Sequence, residues 1–395
     1  MPKETNLSLN NVKESPIRVI TRLATQTPGC QILTIGEPDF ITPPVIQAAA
    51  IAGLQAGNTH YPPFNGRRDL LENLSEFVAE NYGFDYSPEE IIVTNGATEG
   101  IFATLLALLN PGDEVIIPLP AFGLYAAATN ILRGQAVPLL TTGLAGETEA
   151  DNTARPFQIT EAALAATITS RTKAIIITSP NNPTGSIYDR RSIAAVATAA
   201  AREGFYIICD EVYRDLIYET AEFISNNKSL RQQLIVIQSF SKPWAMTGWR
   251  LGYLMADRSL QPKIALAHQN MITSAANFTQ DGGIAALKTP TTAMREAYRQ
   301  RRDYIIRELR SMGFKLPVPA GAFYAYPNLA DISSAFAGKG SEDFCRTLIQ
   351  RHLLAVVPGT AFGTDGFVRI SFCYGQEALK VGMARLHACI DSLRK

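Results

Sequence analysis

A lysine in the segment SFSKPWAMTGWR (239–250) lies among groups that suit covalent chemistry. Lys242 follows an apolar run, is preceded by Ser239 and Ser241, and is followed eight residues later by Arg250. A lysine on a loop is ordinarily a solvated surface charge. If it is buried beside other cations, however, its pKa falls and the neutral amine can form an imine with an aldehyde. The serine hydroxyls and the guanidinium would suit a phosphate beside that amine.

A carboxylate, Asp210, closes the mainly apolar segment FYIICD (205–210). An aspartate at the inner end of a buried strand is costly unless it meets a cation or a hydrogen-bond donor. A protonated pyridine nitrogen is one suitable partner, and an arginine in a salt bridge is another. The segment alone is compatible with both.

The segment IIVTNGATEGIF (91–102) predicts a strand that turns directly into a helix. The free N–H groups of that helix terminus suit a phosphate, although a plain turn capped by Thr98 has the same pattern. GxGxxG spacing and a GK[ST] ending are both missing, so we expect neither NAD nor a nucleoside triphosphate. A phosphate cradle, a carboxylate for a pyridine nitrogen and an imine-forming lysine are together what pyridoxal 5′-phosphate (PLP) requires.

Short β-branched runs alternate with Ala- and Leu-rich amphipathic segments from about residue 88 onward. We predict helices at 99–109, 125–132 and 189–202, and strands at 91–94, 114–117, 174–178, 205–209, 234–238 and 250–255. This alternation is typical of βαβ units, so the predicted fold class is α/β, with a mostly parallel, mixed sheet flanked by helices. Ligands of such sheets bind beyond the carboxyl ends of the strands, where the polar segments described above are expected to converge.

The pattern changes after about residue 287. A charged helix at 291–312 leads to strands near 322–326 and 367–372 and to a closing helix at 376–393. We therefore predict a large domain over residues 45–287 and a smaller α+β domain formed by residues 1–44 and 288–395. The length of the chain also favours more than one domain.

The composition predicts a globular protein that binds a small molecule. Apolar residues make up 46% of the chain, and 36 basic residues balance 36 acidic ones without a basic stripe for nucleic acid. The five cysteines include no CxxC pair and indicate a reducing compartment, and the four histidines lack metal-ligand spacing. No signal peptide or membrane span is predicted. We expect a cytoplasmic protein that binds no metal, nucleic acid or membrane.

Six ordered segments make the sequence similar to a known family. They are LTIGEPDFITPP, SPNNPTG, DEVYRDLIY, SFSKPWAMTGWRLG, GAFYAYP and FVRISF, and the similarity extends from about Ser15 to the C-terminus. The chain resembles the class I/II aminotransferases, which are PLP-dependent enzymes of fold type I. The resemblance implies ping-pong transfer of an amino group from an L-amino acid to a 2-oxo acid. A PLP-dependent C–S β-lyase or a synthase on the same fold would share most of these residues and is the alternative.

The resemblance also implies roles for individual residues in binding the cofactor. Lys242 would form the imine with PLP and carry a proton between substrate Cα and cofactor C4′, and Asp210 would pair with the pyridinium nitrogen. Asn182 and Tyr213 would hydrogen-bond the phenolic oxygen of the ring. Phe122 would stack on the ring, with core packing as its alternative role. The cofactor phosphate would be held by Gly96, Ala97, Thr98, Ser239, Ser241 and Arg250.

Substrate and subunit contacts follow from the same resemblance. Arg369 would clamp the substrate α-carboxylate together with Asn182 and the backbone of Gly36, unless it forms a strand-end salt bridge. Tyr61 would reach the cofactor phosphate of a neighbouring subunit in a homodimer with shared active sites, or would be an ordinary surface tyrosine. Glu99 takes a position where some aspartate-specific members look as though they have a lysine. We therefore expect a neutral or aromatic donor rather than aspartate.

Overall fold

The computed structural model describes residues 3–10, 12, 14–142 and 155–394. The α-helices are α1 (Pro16–Thr25), α2 (Pro44–Gln55), α3 (Arg68–Tyr82), α4 (Gly96–Leu108), α5 (Leu124–Ile131), α6 (Glu161–Thr167), α7 (Arg190–Glu203), α8 (Gln261–Ile272), α9 (Asn277–Leu287), α10 (Thr292–Ser311), α11 (Ser341–His352) and α12 (Gln376–Leu393). The strands are β1 (Gln31–Ile32), β2 (Ile91–Thr94), β3 (Glu114–Leu119), β4 (Gln135–Leu140), β5 (Thr172–Thr178), β6 (Tyr206–Asp210), β7 (Leu234–Ser239), β8 (Gly252–Ala256), β9 (Tyr324–Ala325), β10 (Leu354–Ala355), β11 (Val357–Pro358) and β12 (Val368–Ser371). Among the helices described, none has the length and apolarity needed to cross a membrane.

Seven strands form one mixed sheet in the order β2-β8-β7-β6-β5-β3-β4. In this order, β7, β6, β5, β3 and β4 are each parallel to the next strand. Strand β8 runs antiparallel to both β7 and β2. The predicted α/β class with a mostly parallel, mixed sheet is therefore confirmed. The sequence pattern did not predict β4. This strand lies at the sheet edge, contains Pro138 and has several exposed residues, so it lacks the continuous apolar run of the central strands.

Alternate residues of the central strands pack into two separate apolar cores, one on each face of the sheet. Ile175, Ile207 and Val236 belong to one core, and Ile176 and Ile235 belong to the other. Because helices cover both faces, the central strands are apolar along almost their whole length. The sheet is therefore a well-packed support for the polar side chains that follow its strands.

A third apolar core joins α1 to the C-terminal helices and to the shorter sheets. It includes Ile20, Tyr298, Leu348 and Ile370. β12 pairs antiparallel with both β9 and β11, and β1 from the N-terminal segment pairs parallel with β10. The division into a large domain over residues 45–287 and a smaller domain formed by residues 1–44 and 288–395 stays a prediction.

The register of the large sheet brings two polar loops together. Gly252, at the start of β8, pairs with Ser239 at the end of β7 and with Thr94 at the end of β2. A Cβ atom at Gly252 would lie only 3.0 Å from the backbone nitrogen of Ala97. Glycine there allows the first turn of α4 to pack against the β7–β8 connection, which carries Lys242.

Candidate active site

A cavity of about 770 Å³ opens at the carboxyl ends of the parallel strands. Its walls contain twelve of the residues that the sequence singled out: Gly36, Ala97, Thr98, Phe122, Asn182, Asp210, Tyr213, Ser239, Ser241, Lys242, Arg250 and Arg369. Helix α1 lines the same cavity, through Ile17 and Arg22 among others. Segments that are hundreds of residues apart in the chain therefore meet in one place.

Lys242 is a partly buried amine rather than a solvated surface charge. Its Nζ atom donates a hydrogen bond to the carbonyl oxygen of Gly36 at 2.8 Å. Removal from water lowers the pKa of Lys242 from 10.5 to about 8, and the nearby charges of Arg250 and Arg369 act in the same direction. A substantial fraction of the amine is then neutral near physiological pH, which is the nucleophilic form.

Asp210 is a buried carboxylate at the end of β6. It accepts hydrogen bonds from the Tyr125 hydroxyl at 2.7 Å and from the Val212 N–H at 3.4 Å. Burial raises the pKa of Asp210 from 3.8 to about 6, although these hydrogen bonds oppose the shift. Among the described residues no arginine hydrogen-bonds to it, so the predicted alternative of an arginine salt bridge does not hold. A cation placed in the cavity would stabilise this carboxylate.

Hydroxyl groups, a guanidinium and a helix N-terminus form a donor set at one side of the cavity. The Ser239 and Ser241 hydroxyls are 2.9 Å apart. Gly96 does not line the cavity itself, but a Cβ atom there would lie 2.6 Å from Nη2 of Arg250, so the guanidinium rests directly on this glycine. Together with the N–H groups of the first turn of α4, these groups can bind a phosphate.

Arg369 is a buried guanidinium on β12 whose hydrogen-bond partners are neutral. Nη1 donates to Oδ1 of Asn182 at 2.8 Å, and Nη2 donates to the carbonyl oxygen of Thr34. The guanidinium also lies 4.5 Å from the ring centroid of Tyr324. In the described part of the chain, Nε has no hydrogen-bond partner. These neutral partners do not fit the alternative of a strand-end salt bridge, and the positive charge suits a substrate carboxylate.

Two tyrosines of the site were missed by sequence reasoning. The Tyr324 hydroxyl lies 2.8 Å from the Tyr213 hydroxyl, and Tyr125 connects Asp210 to Thr178. Burial raises the pKa of Tyr324 to about 12, so its phenol stays protonated at neutral pH. Tyr324 is part of the GAFYAYP segment, which was noted only for its resemblance. Tyr125 lies on the first turn of α5, and its ring packs edge-on against Phe122 with the ring centroids 6.0 Å apart.

Two other predicted residues lie away from the cavity. Tyr61 is 86% exposed and borders a surface groove with Asn58 and Phe278. Glu99 is buried, and its carboxylate turns back to accept the Asn95 N–H at 3.1 Å. Glu99 therefore does not face a substrate in the cavity, and its charge gives no information about the amino-acid donor.

The chain is similar to known proteins over most of its length. The family model for aminotransferase class I and II matches residues 29–386. An aspartate aminotransferase from Pyrococcus horikoshii is 35% identical over 388 residues, which cover 96% of this chain and 95% of the relative. Among solved structures, the Thermus thermophilus aspartate aminotransferase with maleate is similar with a TM-score of 0.89 and 30% identity, covering 98% of this chain and 100% of that chain.

Another similar solved structure is named for a different class of substrate. The aromatic aminotransferase from Pyrococcus horikoshii is similar with a TM-score of 0.85 and 32% identity, covering 95% of this chain and 99% of that chain. The fold is thus that of the PLP-dependent aminotransferases, and the protein is an enzyme, a transaminase. With a family match over most of its length and relatives above 30% identity, this chain belongs to the class I and II aminotransferases.

Proposed function

We propose that this aminotransferase moves the amino group of an L-amino acid to a 2-oxo acid in two half-reactions, with PLP bound in the cavity. The observation that carries the proposal is that the Lys242 amine and the Asp210 carboxylate share one cavity with a phosphate-type donor set. The pKa of Asp210, which burial raises, is partly lowered again by the charge of Lys242. The two groups therefore lie within electrostatic range of each other.

The residues of the cavity fit a substituted pyridine ring that carries a phosphate. A protonated ring nitrogen would supply the cation that Asp210 lacks. The Ser239 and Ser241 hydroxyls, Arg250 and the first turn of α4 would hold the phosphate, and Phe122 would stack on the ring. Asn182 accepts from Arg369 through Oδ1, which leaves its NH₂ group and the Tyr213 hydroxyl to donate to the phenolic oxygen. When bound, PLP draws electrons from the Cα atom of the attached amino acid and weakens its Cα–H bond.

Lys242 is the residue that we propose moves the proton at the substrate Cα atom. Its carbonyl partner, Gly36, lines the same cavity and holds Nζ at 2.8 Å. An amine whose pKa is about 8 exchanges protons readily at neutral pH, because neither of its protonation states is rare there.

Arg369 is proposed to bind the substrate α-carboxylate and thereby to orient the Cα–H bond. Asn182, Thr34 and the Tyr324 ring hold the guanidinium in a fixed position. A planar guanidinium can form two parallel hydrogen bonds to a carboxylate, which fixes both the position and the rotation of the substrate. Such fixed orientation lowers the entropic part of the reaction barrier.

A neutral or aromatic amino acid is the proposed donor. The cavity wall includes the apolar side chains of Ile17, Ile35 and Leu124. Helix α1 also contributes two arginines, Arg18 and Arg22, to the cavity wall, and Arg22 forms an ion pair with Glu14 at 2.5 Å. A neutral donor can use the apolar wall without disturbing that pair. The acceptor is proposed to be 2-oxoglutarate or another 2-oxo acid.

Titration of the purified holoenzyme with single amino acids tests these proposals. A transaminase that is given only a donor converts its cofactor from the aldehyde form to the amine form, which changes the absorbance spectrum. A β-lyase would instead release ammonia and pyruvate and keep the aldehyde spectrum. Values of kcat/KM for phenylalanine, methionine, alanine and aspartate then rank the donors. A clear preference for aspartate would reject the proposed donor class.

A homodimer in the cytoplasm is the proposed state of the enzyme. Tyr61 is 86% exposed and borders a groove formed with Ser274 and Phe278, which a second copy of the chain would cover. All five cysteines are free, which suits a reducing compartment. Molar mass by light scattering tests the dimer, and fractionation of cells tests the location.

A further inference from the structure

Glu99 and His268 form a buried pair that the proposed reaction does not use. Glu99 lies on the first turn of α4, and His268 lies on α8 with no exposed surface. Oε1 of Glu99 is 3.1 Å from Nδ1 of His268, while Oε2 accepts the Asn95 N–H at 3.1 Å. Nε2 of His268 is 2.8 Å from the carbonyl oxygen of Phe64. The pair therefore connects the start of α4, helix α8 and the loop between α2 and α3.

The contacts require a proton between Glu99 and His268. A carbonyl oxygen only accepts, so the contact with Phe64 needs a proton on Nε2. The contact between Nδ1 and the carboxylate then needs a second proton, which gives an imidazolium–carboxylate pair. Burial by itself lowers the pKa of His268, but the hydrogen bond and charge of Glu99 and the Phe64 carbonyl outweigh it and raise this pKa above its ordinary value. Both protons of the ring are thus engaged.

Both segments held by the pair lead to groups that are proposed to contact phosphate. Asn95 directly precedes the first turn of α4, which contributes Ala97 and Thr98 to the cavity wall. Phe64 belongs to the same loop as Tyr61, which is the residue proposed to reach the neighbouring subunit. A movement of either segment would change the positions of phosphate-binding groups.

We propose that Glu99 and His268 are positioning residues for the cofactor phosphate, which fix the first turn of α4 relative to the Tyr61 loop. In this role they set the preference of the enzyme for PLP over pyridoxal, which lacks the phosphate. The inference rests on the proposed function, because it requires PLP in the cavity.

If only electrostatic repulsion mattered, loss of Glu99 would have the opposite effect on phosphate binding to the loss of a positioning residue. A carboxylate in the first turn of α4 repels a phosphate dianion bound at the same helix terminus. Removing the charge of Glu99 would then strengthen phosphate binding. If the pair acts by position, loss of its hydrogen bonds weakens phosphate binding instead. The sign of the change therefore separates the two explanations.

The experiment compares equilibrium dissociation constants of PLP and of pyridoxal for apoprotein of three variants. Glu99→Ala removes the hydrogen bonds to Asn95 and His268, and we expect it to reduce the preference for PLP about tenfold, the typical effect of one charged hydrogen bond. His268→Phe keeps the volume but breaks the link to Phe64, and we expect a change in the same direction. Glu99→Gln should retain the preference, because its amide can accept from Asn95 and donate to a neutral imidazole.

Glu114→Ala is the matched control for loss of a buried carboxylate. Glu114 is 3% exposed, pairs with Arg171 and Thr169, and lies at the start of β3, away from the cavity. We expect this variant to lose stability while its preference for PLP stays unchanged.

An unchanged or increased preference for PLP in Glu99→Ala, or an equal loss in Glu99→Gln, would overturn the proposal. It is also overturned if neither Glu99→Ala nor His268→Phe folds, since the pair would then serve stability alone. Failure of the unaltered protein to bind PLP would instead reject the proposed function.

Discussion

Lys242 and Asp210 are each held where water stabilises their charge poorly. Burial lowers the pKa of the amine to about 8 and raises the pKa of the carboxyl to about 6. Shifts of this kind are costly for the free protein and are concentrated at functional sites. Replacing these residues therefore tests the reaction at Lys242 and both the reaction and the stability of the protein at Asp210.

Replacement of Lys242 by alanine should abolish most of the turnover. Because the amine is proposed to move the proton at Cα, we expect the transamination rate to fall by a factor of about 10² to 10⁴ or more. Lys263→Ala, which removes an exposed lysine on α8, is the control and should leave the rate unchanged. Normal activity in Lys242→Ala would show that the site is assigned to the wrong residue.

The lowered pKa of Lys242 predicts how the apoprotein reacts with an aldehyde as pH changes. Only the neutral amine attacks a carbonyl carbon, so the reactive form becomes predominant above pH 8, rather than above pH 10.5 as for a solvated lysine. We expect the rate of reaction with pyridoxal to rise with pH and to reach half of its maximum near pH 8. A rise that begins only near pH 10 would contradict this environment for the amine.

Asp210→Asn should stabilise the apoprotein while it impairs the enzyme. The pKa of Asp210 is raised from 3.8 to about 6 in the folded protein, so the fold favours the protonated carboxyl. The unaltered apoprotein therefore loses stability as pH rises through this interval, and asparagine avoids the loss. We expect the variant to be more stable above pH 6 by about 2 to 3 kcal/mol, with the difference vanishing below pH 4. Urea denaturation at both pH values measures this, and equal stability at pH 8 would contradict it.

At the scale of elements, the first turn of α4 and the β7–β8 connection form one structural unit. The helix approaches the sheet closely because Gly252 has no side chain, and Arg250 rests on Gly96 for the same reason. The phosphate-type donors therefore come from two elements whose contact leaves no space for a methyl group. Changes at this contact should act on the cofactor rather than on the rest of the fold.

Gly96→Ala should weaken PLP binding by displacing the Arg250 guanidinium. The added Cβ atom would lie 2.6 Å from Nη2, and the residue has a φ of 76° that disfavours alanine. We expect the dissociation constant of PLP to rise at least about tenfold, as for loss of a hydrogen bond to a charged group. Gly112→Ala is a matched control, since its φ is 87° but no atom lies within 4 Å of the new Cβ. If both variants bind PLP normally, PLP binding does not depend on the position of the Arg250 guanidinium against Gly96.

Most strands of the large sheet could be predicted from the sequence, because buried strands leave local patterns, whereas cavity residues such as Phe122 and Arg369 were singled out only through the resemblance to the aminotransferases. The edge strand β4 leaves a weak pattern, since Pro138 and solvent exposure interrupt it. Tyr125 and Tyr324 were missed because an aromatic residue in an apolar segment usually belongs to the core. Glu99 was wrongly predicted to lie near the substrate, because the orientation of its carboxylate depends on His268, a partner 169 residues away. Such long-range pairing leaves no local trace in the sequence.

At the scale of the whole molecule, the exposed Tyr61 loop and the cavity are separate features of one chain. Tyr61 is 86% exposed, whereas Lys242 and Arg369 lie inside the cavity. If the loop completes the site of a second copy, each site takes residues from two chains. This arrangement allows a test that uses two defective variants.

Mixing Lys242→Ala with Tyr61→Ala should restore part of the lost activity. Hybrid dimers would contain one site with both defects and one site with neither, because Tyr61 acts in the partner's site. We expect each variant alone to be impaired and the refolded mixture to exceed the sum of the two activities. Measured rates of separate and mixed samples provide the check, and simple additivity would contradict a shared site.

Ser239, Ser241, Lys242 and Arg250 all lie within a single uninterrupted peptide of twelve residues, 239–250. The reactive amine and several of its proposed anion ligands are therefore inherited and exchanged together. Recombination between relatives with breakpoints outside this peptide would transfer all four residues together. A single insertion inside the peptide would disturb both the binding of the phosphate and the reactivity of the Lys242 amine. For protein engineering, we expect crossovers to be tolerated on either side of this stretch and almost nowhere within it.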